Sequence, residues 1–435
     1  LKIAVVALGK IGLPLAVQFA LKGHQVLGTD TKEEVVRQVN RAIQPFPGEA
    51  HLGEYLKQVI DRGKLTATTD TTDAVRKSDF IVVVVPLFVE KSGEPDFTWI
   101  DEATNAIGRG LKRGSLVSYE TTLPVGTTRT RFAPALEAIS GLKAGIDFHL
   151  VFSPERVSTG SVFADLRKYP KLVGGINQVS SALGVKFYQE VLDFDFRPDL
   201  SKENGVWELK SCEAAEFAKL AETTYRDVNI ALANQFAIYA ESNGINVSEV
   251  IDASNSQPFS HIHRPGIAVG GHCIPIYPQF YLWNDPTATL VRTARETNNA
   301  MPSHVVDTLS QLHGGLMGQR VAVLGVAYRG GVKESAFSGI FPTVKQLKKL
   351  GAIVFVHDPL YTDTELSNLG FAPYHYGDNV DAGLVQTDHR EYYELSSNQL
   401  PGIRTFLDGR GVTNEVNWQD VRYHVLGHSS SFLLH

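Results

Sequence analysis

The chain has 435 residues, of which 43% are apolar and 20% charged, a balance that excludes a disordered chain or a disulfide-stapled miniprotein and leaves room for two or three domains. Lys and Arg number 41 against 47 Asp and Glu, a formal charge of −6, which argues against a nucleic-acid-binding surface. No apolar run approaches the roughly 18 residues of a membrane span, and no charged segment followed by an apolar stretch opens the chain, so no membrane or secretory segment is expected. The two cysteines, Cys212 and Cys273, come without CxxC, HExxH or paired His/Cys spacing. That pattern points to free thiols in a reducing cytoplasm and to no metal site.

Lys2–Leu8 (KIAVVAL) reads as a strand buried on both faces. Gly9, Lys10, Ile11 and Gly12 follow at once, then a helical run closed by Gly23, then HQVLGTD, a second strand ending in Asp30. Strand, glycine turn, helix, strand and acid is the order of a dinucleotide-binding unit. The glycines let the backbone approach a pyrophosphate at the helix N-terminus. A carboxylate at Asp30 accepts from a ribose 2′-hydroxyl and repels a 2′-phosphate, which favours NAD over NADP. Ala7 stands where the first glycine of the fingerprint belongs. Taken alone, such a turn also suits any tight strand–helix junction.

Further apolar strands are expected at Phe80–Val85, Leu116–Tyr119, His149–Phe152 and Leu172–Gly175, so residues 1–190 read as a parallel, doubly wound sheet. Residues 211–243 contain neither Gly nor Pro and predict one helix of about thirty residues, long by globular standards. Glu213, Glu216, Lys219, Thr223 and Arg226 form a polar stripe along it. The rest is apolar most of the way around, so another domain or subunit should cover it. After about residue 315 the strand–helix–strand rhythm restarts, with RVAVLGVAY, PTVKQLKKLG and AIVFVHDP ending in Asp358. The fold class is therefore α/β: two Rossmann-like, doubly wound parallel-sheet domains joined by a long central helix. The expected divisions are 1–195, 196–310 and 311–435.

AVGGHCIPIYP at 268–278 is the densest chemical signal. Gly270 and Gly271 permit close backbone approach beside Cys273, and Pro275 and Pro278 stiffen the loop. A lone cysteine is ordinarily an inert small hydrophobe, a reading that suits Cys212. In a fixed loop of an NAD protein, a cysteine can instead add to an aldehyde as a nucleophile. Lys219 is the cation that would favour its thiolate.

These segments together resemble the UDP-glucose/GDP-mannose dehydrogenase family, over nearly the whole chain. The resemblance is carried by ALGKIGLPLA, GEPDFTWI, TTLPVGTT, SPERV at 153–157, AKLAETTYRDVNIALANQ at 218–235, VGGHCIP at 269–275, LGVAYRGGVKES at 324–335 and DGRG at 408–411. The SPER and GGHC spellings resemble the N-acetylhexosamine and archaeal-type members more than the PEFLREG, GGYC type. The resemblance implies an NAD-dependent, four-electron oxidation of the C6 alcohol of a nucleotide-diphosphate hexose to the uronic acid. It also implies NAD in the first domain, the nucleotide in the third, and a homodimer built on the long helix. By position it makes Cys273 the nucleophile that forms a thiohemiacetal and then a thioester. Lys219 becomes the oxyanion-stabilising ammonium, and Glu155 the base that hydrolyses the thioester. Thr122 touches the cofactor or positions water, and Pro86 and Leu87 border the cofactor. Arg156, Val157, Arg226, Tyr328, Arg329, Asp408 and Arg410 fall near the sugar nucleotide, beside Gly270. Two simpler readings stay open: Arg226 pairs within its helix, and Asp408 is a strand-end turn.

The chain departs from the family pattern in places. Thr223 replaces an Asn that helps hold the oxyanion, and Tyr277 replaces an Asp after the cysteine. Phe259 lies near the place of a substrate Arg, for which His263 or Arg264 are the candidate substitutes. A UDP- or TDP-glucose-type substrate is the expectation, and a UDP-N-acetylhexosamine the alternative. A non-catalytic NAD or nucleotide-sugar sensor is the reading of another class, and the joint presence of Cys273 and Lys219 argues against it.

Overall fold

In the computed structural model, which describes residues 1–90 and 92–428, the chain forms two compact units. One is Leu1–Glu222 with Gln279–Asn284. The other is Thr223–Pro278 with the residues from Asp285 onward, so the boundary falls inside the long helix.

The first unit holds β1 (Lys2–Val6), β2 (Gln25–Thr29), β3 (Leu65–Thr68), β4 (Phe80–Val83), a short hairpin of β5 (Phe88–Val89) and β6 (Pro95–Asp96), then β7 (Leu116–Tyr119), β8 (His149–Phe152), β9 (Lys171–Gly175) and β10 (Val206–Leu209). Eight of these make one sheet in the order β10-β9-β8-β7-β4-β1-β2-β3. The strand order reverses between β1 and β4, which opens a crevice at the carboxyl ends of those strands. Continuous apolar sequence explains why the central strands sit here: Ile3, Val5, Val82 and Val151 are fully buried in one core.

Two features differ from the sequence expectation. β9 runs antiparallel to β8, with Val151 opposite Gly175 and Phe152 opposite Gly174. β10 is a further strand, paired parallel to β9. Its four residues are half-buried or exposed at the sheet edge, so it lacks the apolar run that marks the others.

The second unit carries β11 (Arg320–Leu324), β12 (Ile353–His357), β13 (Ala372–Pro373), β14 (Ala382–Val385), β15 (Thr405–Asp408) and β16 (Arg422–Val425). They form a sheet in the order β13-β12-β11-β14-β15-β16, parallel throughout. Along β11, Val321 and Val323 enter one apolar core and Ala322 and Leu324 another, so both faces of this sheet are covered. The sequence repeat of strand, helix, strand and acid is thus a repeat of architecture.

The helix Cys212–Ser242 is 31 residues long. Its C-terminal turn is held in the second unit by Glu241. The Gly427 N–H donates to Glu241 Oε1 (2.9 Å), His424 Nε2 lies 3.2 Å from the same oxygen, and His304 Nε2 lies 2.8 Å from Oε2. No described helix is long and apolar enough to cross a membrane.

Burial raises the pKa of Glu241, but the hydrogen bonds from His304, His424 and Gly427 outweigh it and bring it down to about 2. A carboxylate held below its unfolded value stabilises the fold fully above about pH 4.5. That contribution, roughly 3 kcal/mol, is lost as pH falls toward 2. Thermal melts followed by circular dichroism should therefore show a steeper loss of stability between pH 5 and 3 in the parent than in Glu241→Gln.

Candidate functional site

The turn after β1 is built by contact rather than by composition alone. A Cβ on Gly12 would lie 1.9 Å from the Ala7 carbonyl oxygen, so only glycine lets the helix Gly12–Leu21 start there. Ala7 itself adopts φ 76°, the left-handed conformation that the fingerprint normally assigns to glycine, at a cost of about 1 kcal/mol or more. The Leu8 N–H donates to Asp30 Oδ2 (3.0 Å) and the Lys32 N–H to Asp30 Oδ1 (2.9 Å). Asp30 thus braces the turn and, half-exposed, keeps a second lone pair on each oxygen. A Cβ on Gly9 would meet nothing within 4 Å. The helix that follows has no acid in its first turn and no side-chain cap at Ile11. Its first N–H groups therefore suit an anion. Lys10 is exposed on the turn, Pro86 is exposed beyond β4 and Leu87 is buried. The residues present fit a dinucleotide.

Thr122 is buried just past β7, in a loop anchored by Glu216. The Gly126 N–H (2.6 Å), the Thr128 N–H (2.9 Å) and the Thr128 hydroxyl (2.7 Å) all donate to this carboxylate. Burial nevertheless pushes its pKa up to about 7.

Behind this loop lies a buried cluster that sequence reasoning missed. Lys171, at the head of β9, donates to Glu120 Oε2 (2.6 Å) and to Glu155 Oε2 (3.0 Å). The Tyr188 hydroxyl donates to Glu120 Oε1 (2.6 Å), and Ser118 lies 2.7 Å from that hydroxyl. Glu155 Oε1 accepts from the Arg156 N–H (2.7 Å) and the Val157 N–H (3.2 Å). Burial pushes both carboxyl groups up. For Glu155, Lys171 and the added N–H donors outweigh burial and hold it below its usual value. Glu120 has fewer donors and rises to about 7. Where two carboxylates share one ammonium, the poorer-solvated one takes the proton.

Lys219 lies on the long helix and is nearly buried. Its ammonium donates to Glu222 Oε1 (3.1 Å), and Arg156 Nε donates to Glu222 Oε2 (2.9 Å). Arg156 also reaches the Pro170 carbonyl (3.3 Å). With Tyr277 in place of the family's Asp after the cysteine, an acid beside Lys219 has to come from elsewhere. Glu222 supplies one, and its i+3 spacing from Lys219 was the available signal. Thr223, one residue further along, is fully buried.

In the second unit Cys273 is partly exposed, whereas Cys212 of the first unit is buried and its thiol is pushed up by burial to about 12. The Tyr277 N–H donates to the Cys273 carbonyl (2.9 Å), so Tyr277 continues the turn from the cysteine. A Cβ on Gly270 would lie 2.7 Å from Tyr328 Cβ and 2.9 Å from the Phe337 carbonyl. One on Gly271 would lie 3.0 Å from the Tyr328 ring. The two glycines therefore admit Tyr328 against the cysteine loop, and Gly270 is committed to that contact. Arg329 is exposed, 5.8 Å from the Tyr328 ring centre.

Other expected ligand residues divide. His263 Nε2 is buried without a hydrogen-bond partner, and burial and then the charge of Arg226 hold the imidazole below its usual pKa. Arg226 and His263 are thus neighbours, as a shared anion site requires. Arg264 is turned away, onto Asp252 and the Ser248 carbonyl. Asp408 is fully buried and accepts from the N–H groups of Arg410, Gly411, Val412 and Thr413 and from the Thr413 hydroxyl. This is the strand-end turn, with no acceptor left for a ligand. Arg410 reaches Asp388 (3.4 Å). Among the described residues no group of three or more His, Cys, Asp or Glu is placed to hold a metal ion.

Three family models match the chain in order. The NAD binding domain of the UDP-glucose/GDP-mannose dehydrogenase family matches residues 1–192, its central domain 213–300 and its UDP binding domain 322–415. The chain is 33% identical over 424 residues to the UDP-N-acetyl-D-mannosamine dehydrogenase of Pyrococcus horikoshii, covering 95% of this chain and 96% of that protein. Its fold matches the solved UDP-D-ManNAc dehydrogenase from Pyrococcus horikoshii with a TM-score of 0.86 at 30% identity, covering 98% and 99% of the two chains. It also matches an NDP-N-acetyl-D-galactosaminuronic acid dehydrogenase from Methanosarcina mazei Go1, with a TM-score of 0.84 at 29% identity over 100% and 96% of the chains.

The double engagement of Asp30 has a measurable consequence. Asp30→Ala should weaken NAD binding at least tenfold and narrow the NAD-over-NADP preference by a similar factor. Freeing the Leu8 N–H should also cost about 1–2 kcal/mol of stability. Cofactor titrations by fluorescence and a thermal melt check both, and an unchanged preference would confine Asp30 to bracing the turn.

Proposed function

The chain belongs to the UDP-glucose/GDP-mannose dehydrogenase family, and from that premise we propose that it oxidises the C6 alcohol of UDP-N-acetylmannosamine, or a closely related UDP-N-acetylhexosamine, to the uronic acid. One observation carries the substrate: near-full-length similarity to proteins that act on N-acetylated nucleotide sugars. The UDP- or TDP-glucose expectation gives way to its alternative on that ground.

NAD, held by the turn Gly9–Gly12, Asp30, Pro86, Leu87 and Thr122, supplies the hydride acceptor when bound. Cys273 is the nucleophile in this reading. Its sulfur bonds to the C6 aldehyde carbon and carries the sugar as a thiohemiacetal and then a thioester. The partial exposure of Cys273, against the buried, high-pKa thiol of Cys212, supports this choice. Lys219, oriented by Glu222, stabilises oxygen charge at C6 through its ammonium. Thr223 offers a single hydroxyl donor where the family has an amide. Glu155, held as the carboxylate, takes a proton from the water that cleaves the thioester.

Arg156 and Val157 border the sugar, and Arg226 and His263 take the phosphates. Tyr328, Arg329 and Arg410 act from the third domain of the division 1–195, 196–310 and 311–435. Two free thiols suit a reducing cytoplasm. Tyr225, Leu232, Phe236 and Tyr239 are all exposed on the long helix, and a second copy of the chain is the occupant we propose for that face.

With UDP-N-acetylmannosamine and NAD, two NADH should appear per sugar, and Cys273→Ala should abolish acid formation while sugar-nucleotide binding stays within a few-fold. Turnover of UDP-glucose in preference to the acetylated sugars would overturn the substrate, and a fully active Cys273→Ala would overturn the thioester. Separately, Leu232→Asp should convert a dimer to a monomer by sedimentation velocity, and an unchanged assembly would dismiss that face.

A further inference from the structure

Of the buried cluster around Lys171, only Glu155 has a part in the chemistry described so far. Three groups from three strand ends meet in it: Glu120 after β7, Glu155 after β8 and Lys171 at the start of β9. The meeting depends on the direction of β9. Because β9 runs antiparallel to β8, its first residue stands at the carboxyl edge of the sheet, where ligands bind. A parallel β9 would place the same lysine at the opposite edge.

We propose that Lys171 is a positioning residue for acid release: its ammonium spans Glu120 and Glu155 and keeps Glu155 as the carboxylate that accepts a proton from the attacking water. This rests on the reading of Glu155 as the hydrolytic base. In the step, the water oxygen bonds to the thioester carbon and one of its protons goes to Glu155. The C–S bond then breaks to release the Cys273 thiolate and the acid.

The groups that face Glu155 leave Lys171 in this role. Arg156 and Lys219 both turn their cations to Glu222. Asp165, on the helix Val162–Lys168, accepts from the Ser158 N–H and the Ser161 hydroxyl. Tyr188, on the helix Gln178–Val191, donates to Glu120. Glu155 and Lys171 border a small recess, lined also by Arg156, Asp165 and Tyr169. Glu120, with its pKa raised, shares the ammonium and also hydrogen-bonds to Glu155, a contact that helps lower the Glu155 pKa after the charge of Lys171.

The test follows acid formation against pH in the full-length protein, with UDP-N-acetylmannosamine and NAD as the probes. Lys171→Met should move the acid limb of the kcat profile up by one pH unit or more, which cuts kcat about fivefold at the pH of the parent's half-maximum. Lys171→Arg, which keeps the charge, should restore the parent limb. Glu120→Gln, which leaves the ammonium to Glu155 alone, should move the limb down, and this variant decides the matter if Lys171→Met does not fold. A folded Lys171→Met with the parent limb, or an unmoved limb in Glu120→Gln, overturns the proposal. Glu155→Gln separates the two levels: acid formation with an unchanged profile would overturn the base assignment itself. A dead Glu155→Gln beside an unmoved Lys171→Met would overturn only the role of Lys171.

Discussion

One buried ammonium ties the first unit together at its ligand-binding edge. Taking a charge out of water costs several kcal/mol, and Lys171 is tolerated there because two carboxylates meet it within 3.0 Å. The arrangement has one carboxylate in excess, and burial raises the pKa of Glu120 to about 7, which eases the excess negative charge. The ends of β7, β8 and β9 are therefore fixed by a requirement of charge balance. The loop that carries Arg156 and Val157 takes its position from the same requirement, because their N–H groups close on Glu155.

Both units use an acid at the end of their second strand to brace the turn after the first strand, but to different extents. Asp30 is half-exposed and takes one N–H on each oxygen. Asp358 is buried. It accepts from the Val326, Ala327 and Leu360 N–H groups, and His389 Nε2 lies 3.1 Å away. Asp30 retains capacity for a ribose hydroxyl, whereas Asp358 is saturated. The same architectural repeat thus supports a dinucleotide in the first unit and leaves the second free for a different nucleotide contact, in line with the separate NAD and UDP binding domains of the family.

The long helix contributes side chains along its whole length. Glu216 anchors the Thr122 loop, Glu222 orients Lys219 and Arg156, and Glu241 joins two histidines from the second unit. A continuous helix suits this because residues three and four apart share a face at fixed spacing.

Much of this was present in the sequence. The apolar runs, the glycine turn, the acid after the second strand and the unbroken helix each follow from local rules, so both sheets and the cofactor turn could be read from them. The cysteine loop and the Lys219 helix also stood out, because glycines and prolines crowd the one and neither breaks the other. What the tertiary structure decided was direction and partnership. KLVGG spells a strand but not which way it runs, since backbone pairing depends on neighbours far away in the chain. Only that direction brings Lys171 to Glu120 and Glu155. Likewise, Asp408 and Gly270 looked like ligand residues by position, and only packing showed that one is saturated by its own loop and the other filled by Tyr328. Local sequence determines which conformations a segment prefers, and the three-dimensional competition for hydrogen bonds and space determines which side chains remain available for chemistry.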